Sequence, residues 1–231
     1  MIYVTGDTHG LIDFDKLSFF AALQDNLTRK DYVIISGDFG GVWGEETEES
    51  LEEYENLPFT VLFVDGNHED YGLLNQYPVE EWNGGKVQFV KPHVIHLMRG
   101  QVFTIDGNKI FTLGGAESHD KQYRVNRVSW WREEIPNQQQ IEEARINLDR
   151  HNWKVDYVIT HSCDTYSLYV MPLSLNRREG RIENDILCEF EEKLKYTHWY
   201  FGHYHIDFDI NSKKTVLYNR ILKLGERINE D

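Results

Sequence analysis

Met1-Ile2-Tyr3-Val4-Thr5-Gly6-Asp7-Thr8-His9-Gly10 sets the architecture of the chain. The apolar, largely β-branched run Met1 to Thr5 reads as a buried strand, and it stops at a glycine-containing turn that carries a carboxylate and an imidazole. The pattern returns downstream. Tyr32 to Ser36 runs into Gly37-Asp38-Phe39-Gly40-Gly41, Val61 to Val64 into Gly66-Asn67-His68-Glu69, and Val155 to Thr160 into His161-Ser162. Gly202-His203-Tyr204-His205 is a fifth such cluster. Phe14 to Leu27, Glu48 to Leu57 and Gln138 to His151 have helical spacing, with Leu17, Phe20, Ala21 and Leu23 on the first apolar face. Strand, polar turn and helix in alternation predict an α/β fold.

Two later stretches read as antiparallel. Gln101 to Ile105 and Lys109 to Leu113 flank Asp106-Gly107-Asn108, and Phe208 to Ile210 and Thr215 to Tyr218 flank Asn211 to Lys214. The sheets are therefore expected to be mixed. No internal repeat or Pro/Gly/Ser-rich linker interrupts the chain, so residues 1–231 read as one domain with an irregular insertion at about 116–137.

With 40% apolar and 27% charged residues, 17 Gly and only 5 Pro, disordered and fibrous classes are excluded. The 24 basic against 39 acidic residues leave a formal charge of -15, which argues against the broad basic surface that long nucleic acid requires. Phosphate-bearing substrates stay open, because a bound cation can dominate the local charge. Cys163 and Cys188 form no Cys-x-x-Cys pair. With no basic leader and no apolar run of membrane-spanning length, a cytoplasmic location is expected.

Strand ends in open α/β sheets line one crevice. Asp7 and Asp38 lie 31 positions apart and Asp38 and Asn67 lie 29 apart, close to the roughly 30 residues of a βαβ unit. Neighbouring strands would then present all three together. Two carboxylates about 4 Å apart repel by about 4 kcal/mol at an effective dielectric near 20, so a cation is the simplest resolution. Asp7, His9, Asp38, Asn67, His161, His203 and His205 offer seven donors, more than one ion with open positions would use. They suit two ions sharing a carboxylate. Carboxylates and imidazoles without thiolate fit Mn, Fe, Zn or Co better than Mg or Ca.

The ordered set Asp-x-His, Gly-Asp, Gly-Asn-His-Glu, His and Gly-His-x-His, spanning residues 6–205, resembles the calcineurin-like metallophosphoesterase superfamily. The resemblance implies a mixed β-sandwich flanked by helices, with the site at the strand ends. It also implies a dinuclear metal-dependent phosphoesterase acting on mono- or diesters by in-line attack of a hydroxide held between the ions. Carried across, it places Asp7, His9 and His205 on one ion, Asn67, His161 and His203 on the other, and Asp38 between them. His68 becomes the residue that stabilises or protonates the leaving oxygen. In the protein serine/threonine phosphatases an Asp three positions after the bridging Asp supports this His and an Arg follows it. Here those positions are Gly41 and Val42, which argues against that branch and leaves the support of His68 open.

Lys121, Arg124, Arg127, Trp130, Trp131 and Arg132 form a basic and aromatic cluster within the insertion. One reading makes it a pocket wall, with Arg124 binding phosphate and a tryptophan stacking on a nucleotide-like substrate. The other makes the tryptophans packing anchors and the arginines partners of surface carboxylates. His93, His96, His119, His151 and His198 read as structural or surface residues, and the acidic run Glu45 to Glu55 as a solvated helix face. A small phosphate ester is the expected partner. A non-catalytic binding scaffold and a nuclease are the rival functions, the latter lacking a basic groove.

Overall fold

The computed structural model describes residues 1–174 and 180–229. Six strands come first, β1 (Ile2–Thr5), β2 (Tyr32–Ser36), β3 (Thr60–Val64), β4 (Val79–Trp82), β5 (Gly85–Lys91) and β6 (Val94–Leu97). The next six, β7 (Gln101–Ile105), β8 (Asn108–Leu113), β9 (Tyr157–Thr160), β10 (His198–Phe201), β11 (Phe208–Asn211) and β12 (Lys214–Val216), form a second sheet. A short β13 (Leu222–Lys223) returns to the edge of the first, giving the orders β13-β1-β2-β3-β6-β5-β4 and β11-β12-β10-β9-β8-β7. Helices α1 (Asp15–Leu23), α2 (Thr47–Glu55), α3 (Tyr71–Leu74), α4 (Gln138–Arg150), α5 (Thr165–Val170) and α6 (Ile182–Lys193), with short 3-10 turns at Gly44–Glu46, Lys121–Tyr123 and Arg132–Glu134, complete the described elements. The fold is mixed α/β, two sheets flanked by helices in a single domain.

Side-chain alternation explains the layering, because successive strand residues face opposite sides. In β1 to β3, Tyr3, Val33, Ile35, Val61 and Phe63 face outward, where Leu17 of α1 and Leu51 and Tyr54 of α2 cover them. Val4, Ile34, Leu62 and Val64 face inward, onto Phe103, Ile110, Ile159 and Tyr200 of the second sheet. The outer side of that sheet, with Phe111, Val158, Trp199 and Phe201, is closed by Ile141, Leu148, Leu187 and Phe190 of α4 and α6. Parallel pairing of β1, β2 and β3 places the turns after them side by side, as the spacing of Asp7, Asp38 and Asn67 predicts.

The expected helix Phe14 to Leu27 is shorter because Gln24 turns extended and Asn26 adopts φ 70°. The strand expected from Val155 starts at Tyr157, since Val155 donates its N–H to Lys195 instead. The β4–β5 hairpin escaped sequence reading because Glu80, Glu81 and Lys86 obscure its alternation. Its Asn83-Gly84 turn, with φ of 50° and 93°, is nevertheless a typical hairpin signal. No described helix is long and apolar enough to cross a membrane.

His198 lies buried in β10, its Nε2 2.9 Å from the Thr215 hydroxyl, which itself donates to Asp209. The imidazole is therefore the donor to Thr215. Burial pushes it from 6.5 down to about 4. A group depressed in the fold takes its proton mainly in the unfolded chain, so its stabilisation is full above about pH 6.5 and is lost as pH falls toward about 4. Urea unfolding across that range is expected to show a loss of about 2–3 kcal/mol from this group. The loss should be absent in His198→Gln, whose amide can still donate to Thr215.

Candidate metal centre

Every candidate donor sits in a turn that leaves the carboxyl end of a strand of one of the two sheets, so the site forms at the seam between them. The backbone there is forced. His9, Asp38, His203 and His205 adopt φ of 45°, 49°, 69° and 53°, a left-handed conformation that costs L-residues about 1–2 kcal/mol each. Such outliers persist where surrounding structure over-determines them and concentrate at functional sites. Glycines make the remaining room. A Cβ on Gly37 would overlap the His161 ring, one on Gly66 the Asp38 carboxylate, and one on Gly202 the Asp7 carboxylate.

Asp38 is the hub. It is buried, its Oδ1 accepts the His68 backbone N–H at 2.8 Å, and its two oxygens face His161 Nε2 at 3.1 Å and His9 Nε2 at 3.4 Å. Asp7 is also fully buried; it accepts the His203 N–H and lies 3.2 Å from His205 Nε2. The remaining nitrogens of two rings are anchored. His161 Nδ1 lies 2.9 Å from the Ser36 carbonyl, which can only accept, so Nε2 faces the cleft and sits 3.2 Å from Asn67 Oδ1. His9 Nδ1 lies 2.7 Å from Asp13. Such outer partners fix the tautomer and aim of a metal-ligating imidazole.

The donors separate into two groups that share one carboxylate. Asp7, His9, Asp38 and His205 have ligand atoms within 4.8 Å of one another, and so do Asp38, His161 and His203. Asn67 joins the second group through its contact with His161. All seven sequence candidates are thus brought together. Electrostatics fit a cation. Burial alone would lower the His9 and His161 imidazoles, yet the Asp38 carboxylate together with Asp7 and each ring's outer partner outweighs it and raises both to about 9. Burial opposes ionisation of Asp38 as well, and the facing His161 and His9 hold it well below the usual carboxylate range. Without a metal the cluster draws protons, and a divalent ion would replace them. His203 is pushed far down by burial and by His161, which keeps its ring neutral.

The supporting structure reaches further than the motifs. Glu69 accepts the backbone N–H of Phe39 at 2.8 Å and of Gly40 at 3.1 Å, tying the third turn to the second. Behind it, buried Asp65 is held by Arg99 Nε at 2.6 Å, the Tyr71 hydroxyl at 2.8 Å and His96. Lys16 donates to the carbonyls of Gly6, Asp7 and Tyr218, and the Tyr218 ring stacks on His205 at 4.7 Å. Sequence reading missed Asp13, although its position four residues after His9 was a usable signal.

His68 borders the first group, its ring edge-on to His9 at 4.9 Å. In place of a supporting carboxylate it meets Arg124, whose Nη2 donates to His68 Nε2 at 3.3 Å. Arg124 is fixed by Asp120 at 2.6 Å and by the Ser129 carbonyl, while Lys121 pairs with Glu117. The surface-pairing account thus describes Lys121, whereas Arg124 both pairs and reaches the centre. The insertion is anchored by Trp131, which is buried and edge-on to Trp43, and by Glu134, which accepts the Ser118 and Trp131 N–H groups. His119, expected to be structural or on the surface, is exposed and stacks on His203 at 5.2 Å with Arg181 beside it.

The calcineurin-like phosphoesterase family model matches residues 1–207. The chain belongs to that family. It is a metal-dependent phosphoric ester hydrolase, and the family implies divalent metal ions as cofactors. Among solved structures, the phosphoesterase is similar to phosphopantetheinyl hydrolase (PptH) from Mycobacterium tuberculosis, with 15% identity, a TM-score of 0.49, and coverage of 94% of this chain and 89% of that one. It is also similar to a Staphylococcus aureus protein named as a 5′-nucleotidase and solved with α-ketoglutarate, again at 15% identity, with a TM-score of 0.48. That match covers 94% of this chain and 48% of the other. No curated protein matches the phosphoesterase.

Proposed function

We propose that the protein hydrolyses small phosphate mono- or diesters, nucleotide-like ones included, at a centre of two divalent transition-metal ions. The observation that supports this reading most is the sharing of Asp38 between two sets of donors. Asp7, His9 and His205 would hold one ion with Asp38, and Asn67, His161 and His203 the other. The nitrogen and oxygen donors favour Mn, Fe, Zn or Co. Such ions supply a nucleophile from water at neutral pH and offset charge developing on the phosphoryl oxygens.

The chain's own residues do the rest. Asp13 and the Ser36 carbonyl keep His9 and His161 aimed. Arg124 presents a guanidinium at the edge of the centre, suited to phosphoryl oxygens. Asn67 Oδ1 faces the same cleft, so this amide can serve substrate as well as metal. His68 would hold or protonate the leaving oxygen, with Arg124 orienting its ring; unlike a carboxylate, the guanidinium disfavours the charged form of the imidazole.

The test is bound metal in the purified protein, followed by turnover of an aryl monoester, a bis-aryl diester and a set of nucleotides with Mn or Zn supplied. Metal-dependent hydrolysis of any small ester supports the proposal. A wild-type protein that takes up neither metal and cleaves none of them would overturn it. Arg124→Ala is expected to lower kcat/KM by about 10–100-fold, mostly through KM, since a charged hydrogen bond contributes about 1.5–3 kcal/mol. Michaelis kinetics with bound metal measured in parallel would check it.

A further inference from the structure

Beside the metal centre lies a cavity of about 640 Å³ whose lining joins His9 and His68 to Gly10, Leu11, Ile12, Gly40, Gly41 and Trp43 from the turns after β1 and β2, and to α2. This is an ordinary size for a small-molecule site. A Cβ on Gly40 would press on the backbone of His9 and Gly10, and one on Gly41 would collide with the Phe39 ring. Gly41, which departs from the protein phosphatases, is thus required by the close approach of Phe39.

The walls are chemically one-sided. Leu11 and Ile12, 43% and 83% exposed, present aliphatic surface to the cavity. Trp43 is held edge-on against buried Trp131 and offers a flat aromatic wall. Glu46, just before α2, and Glu49 in its first turn also line the cavity, and none of its lining residues is Lys or Arg. Ser50 supplies an independent observation. It is 5% exposed and lines the same cavity, and its hydroxyl oxygen has no hydrogen-bond partner among the described residues. A buried hydroxyl left unpaired is uncommon enough to call for an explanation.

We infer that this cavity receives the alcohol part of the substrate, and that it selects a ring-bearing, uncharged or cationic alcohol over an anionic one. The inference rests on the phosphoesterase reading and deepens it. His68, assigned to the leaving oxygen, sits in the cavity wall, so the departing alcohol would extend from His68 toward Trp43. Leu11, Ile12 and Trp43 would cover its ring. Ser50 and the two carboxylates would take its hydrogen-bond donors or positive charge. A leaving group carrying further phosphates or a carboxylate would place like charges opposite Glu46 and Glu49, with no Lys or Arg among the lining residues to offset them. Nucleoside polyphosphates and nucleic-acid strands are thereby disfavoured, and single phosphate esters of amino alcohols, phenols or nucleosides are favoured.

Three matched aryl esters test this: tyramine O-phosphate, para-ethylphenyl phosphate, and the O-phosphate of para-hydroxyphenylacetate, whose tails are cationic, neutral and anionic. With manganese-loaded protein, kcat/KM for the first two is expected to exceed that for the third by about 10-fold or more. The cationic-to-anionic ratio should collapse in the Glu46→Gln/Glu49→Gln double variant, and Trp43→Ala should raise KM for all three. NMR titration of the same protein with free tyramine and free para-hydroxyphenylacetate gives a readout independent of turnover. Esters cleaved without charge preference, or with a preference that survives the double variant, would overturn the pocket and leave the hydrolase reading standing. Tyramine binding preferentially through Glu46 and Glu49 while no ester is cleaved would support the pocket and sink the hydrolase reading. No preference in binding and no cleavage would overturn both.

Discussion

Asp38→Asn is expected to lose most of the bound metal and at least ~10³-fold in kcat/KM, because removing the shared carboxylate weakens both donor sets and each 1.36 kcal/mol of lost transition-state stabilisation is a factor of ten. The substitution is chosen for what it preserves. Asparagine tolerates the left-handed backbone that residue 38 adopts, φ 49°, and its amide oxygen can still accept the His68 N–H. Charge is what disappears. His9 and His161, both raised to about 9 with that carboxylate facing them, would lose the counter-charge that holds them there. Metal content by elemental analysis and turnover with saturating Mn or Zn are the measurements. Wild-type activity in the variant would show that catalysis does not depend on this centre.

His68→Ala should behave differently. Bound metal is expected to stay, since the ring is not needed by either donor group, while kcat falls by ~10²–10⁴, the usual worth of a positioned proton donor. The fall should steepen with leaving-group pKa and be smallest for activated aryl esters, whose oxygen departs without help. A plot of log kcat against leaving-group pKa for wild type and variant separates this from a general loss. Metal loss in His68→Ala would instead move the residue into the ligand set, and an equal fall for all esters would leave it a structural role only.

The layering and the convergence of five turns were legible because strand, glycine turn and donor recur as local patterns, and the near-regular spacing from Asp7 to Asn67 follows from parallel pairing of β1, β2 and β3. The contacts that the insertion makes follow no local pattern. His119 stacks on His203 across 84 positions of sequence, and Arg124, singled out from the sequence as a phosphate-binding residue, meets His68 across 56. Both come from a segment with only two short turns of 3-10 helix, Lys121–Tyr123 and Arg132–Glu134, where no periodicity constrains where a side chain goes. Ser50 was hidden for another reason. Within an acidic helix it looks like one more solvated polar residue, and only the tertiary fold buries it.

The seam between the sheets has a mechanical consequence. Asp7, Asp38 and Asn67 belong to one sheet, and His161, His203 and His205 to the other, so the separation of the two half-sites is gauged by the aliphatic and aromatic spacer between them. Ile34, Leu62, Phe103, Ile159 and Tyr200 make up part of that spacer. Trimming one of them lets the sheets settle closer by a fraction of an ångström, a shift small for folding and large for reacting groups that must meet in a fixed geometry. Positions that never touch substrate would thus tune turnover as a shim tunes a gap.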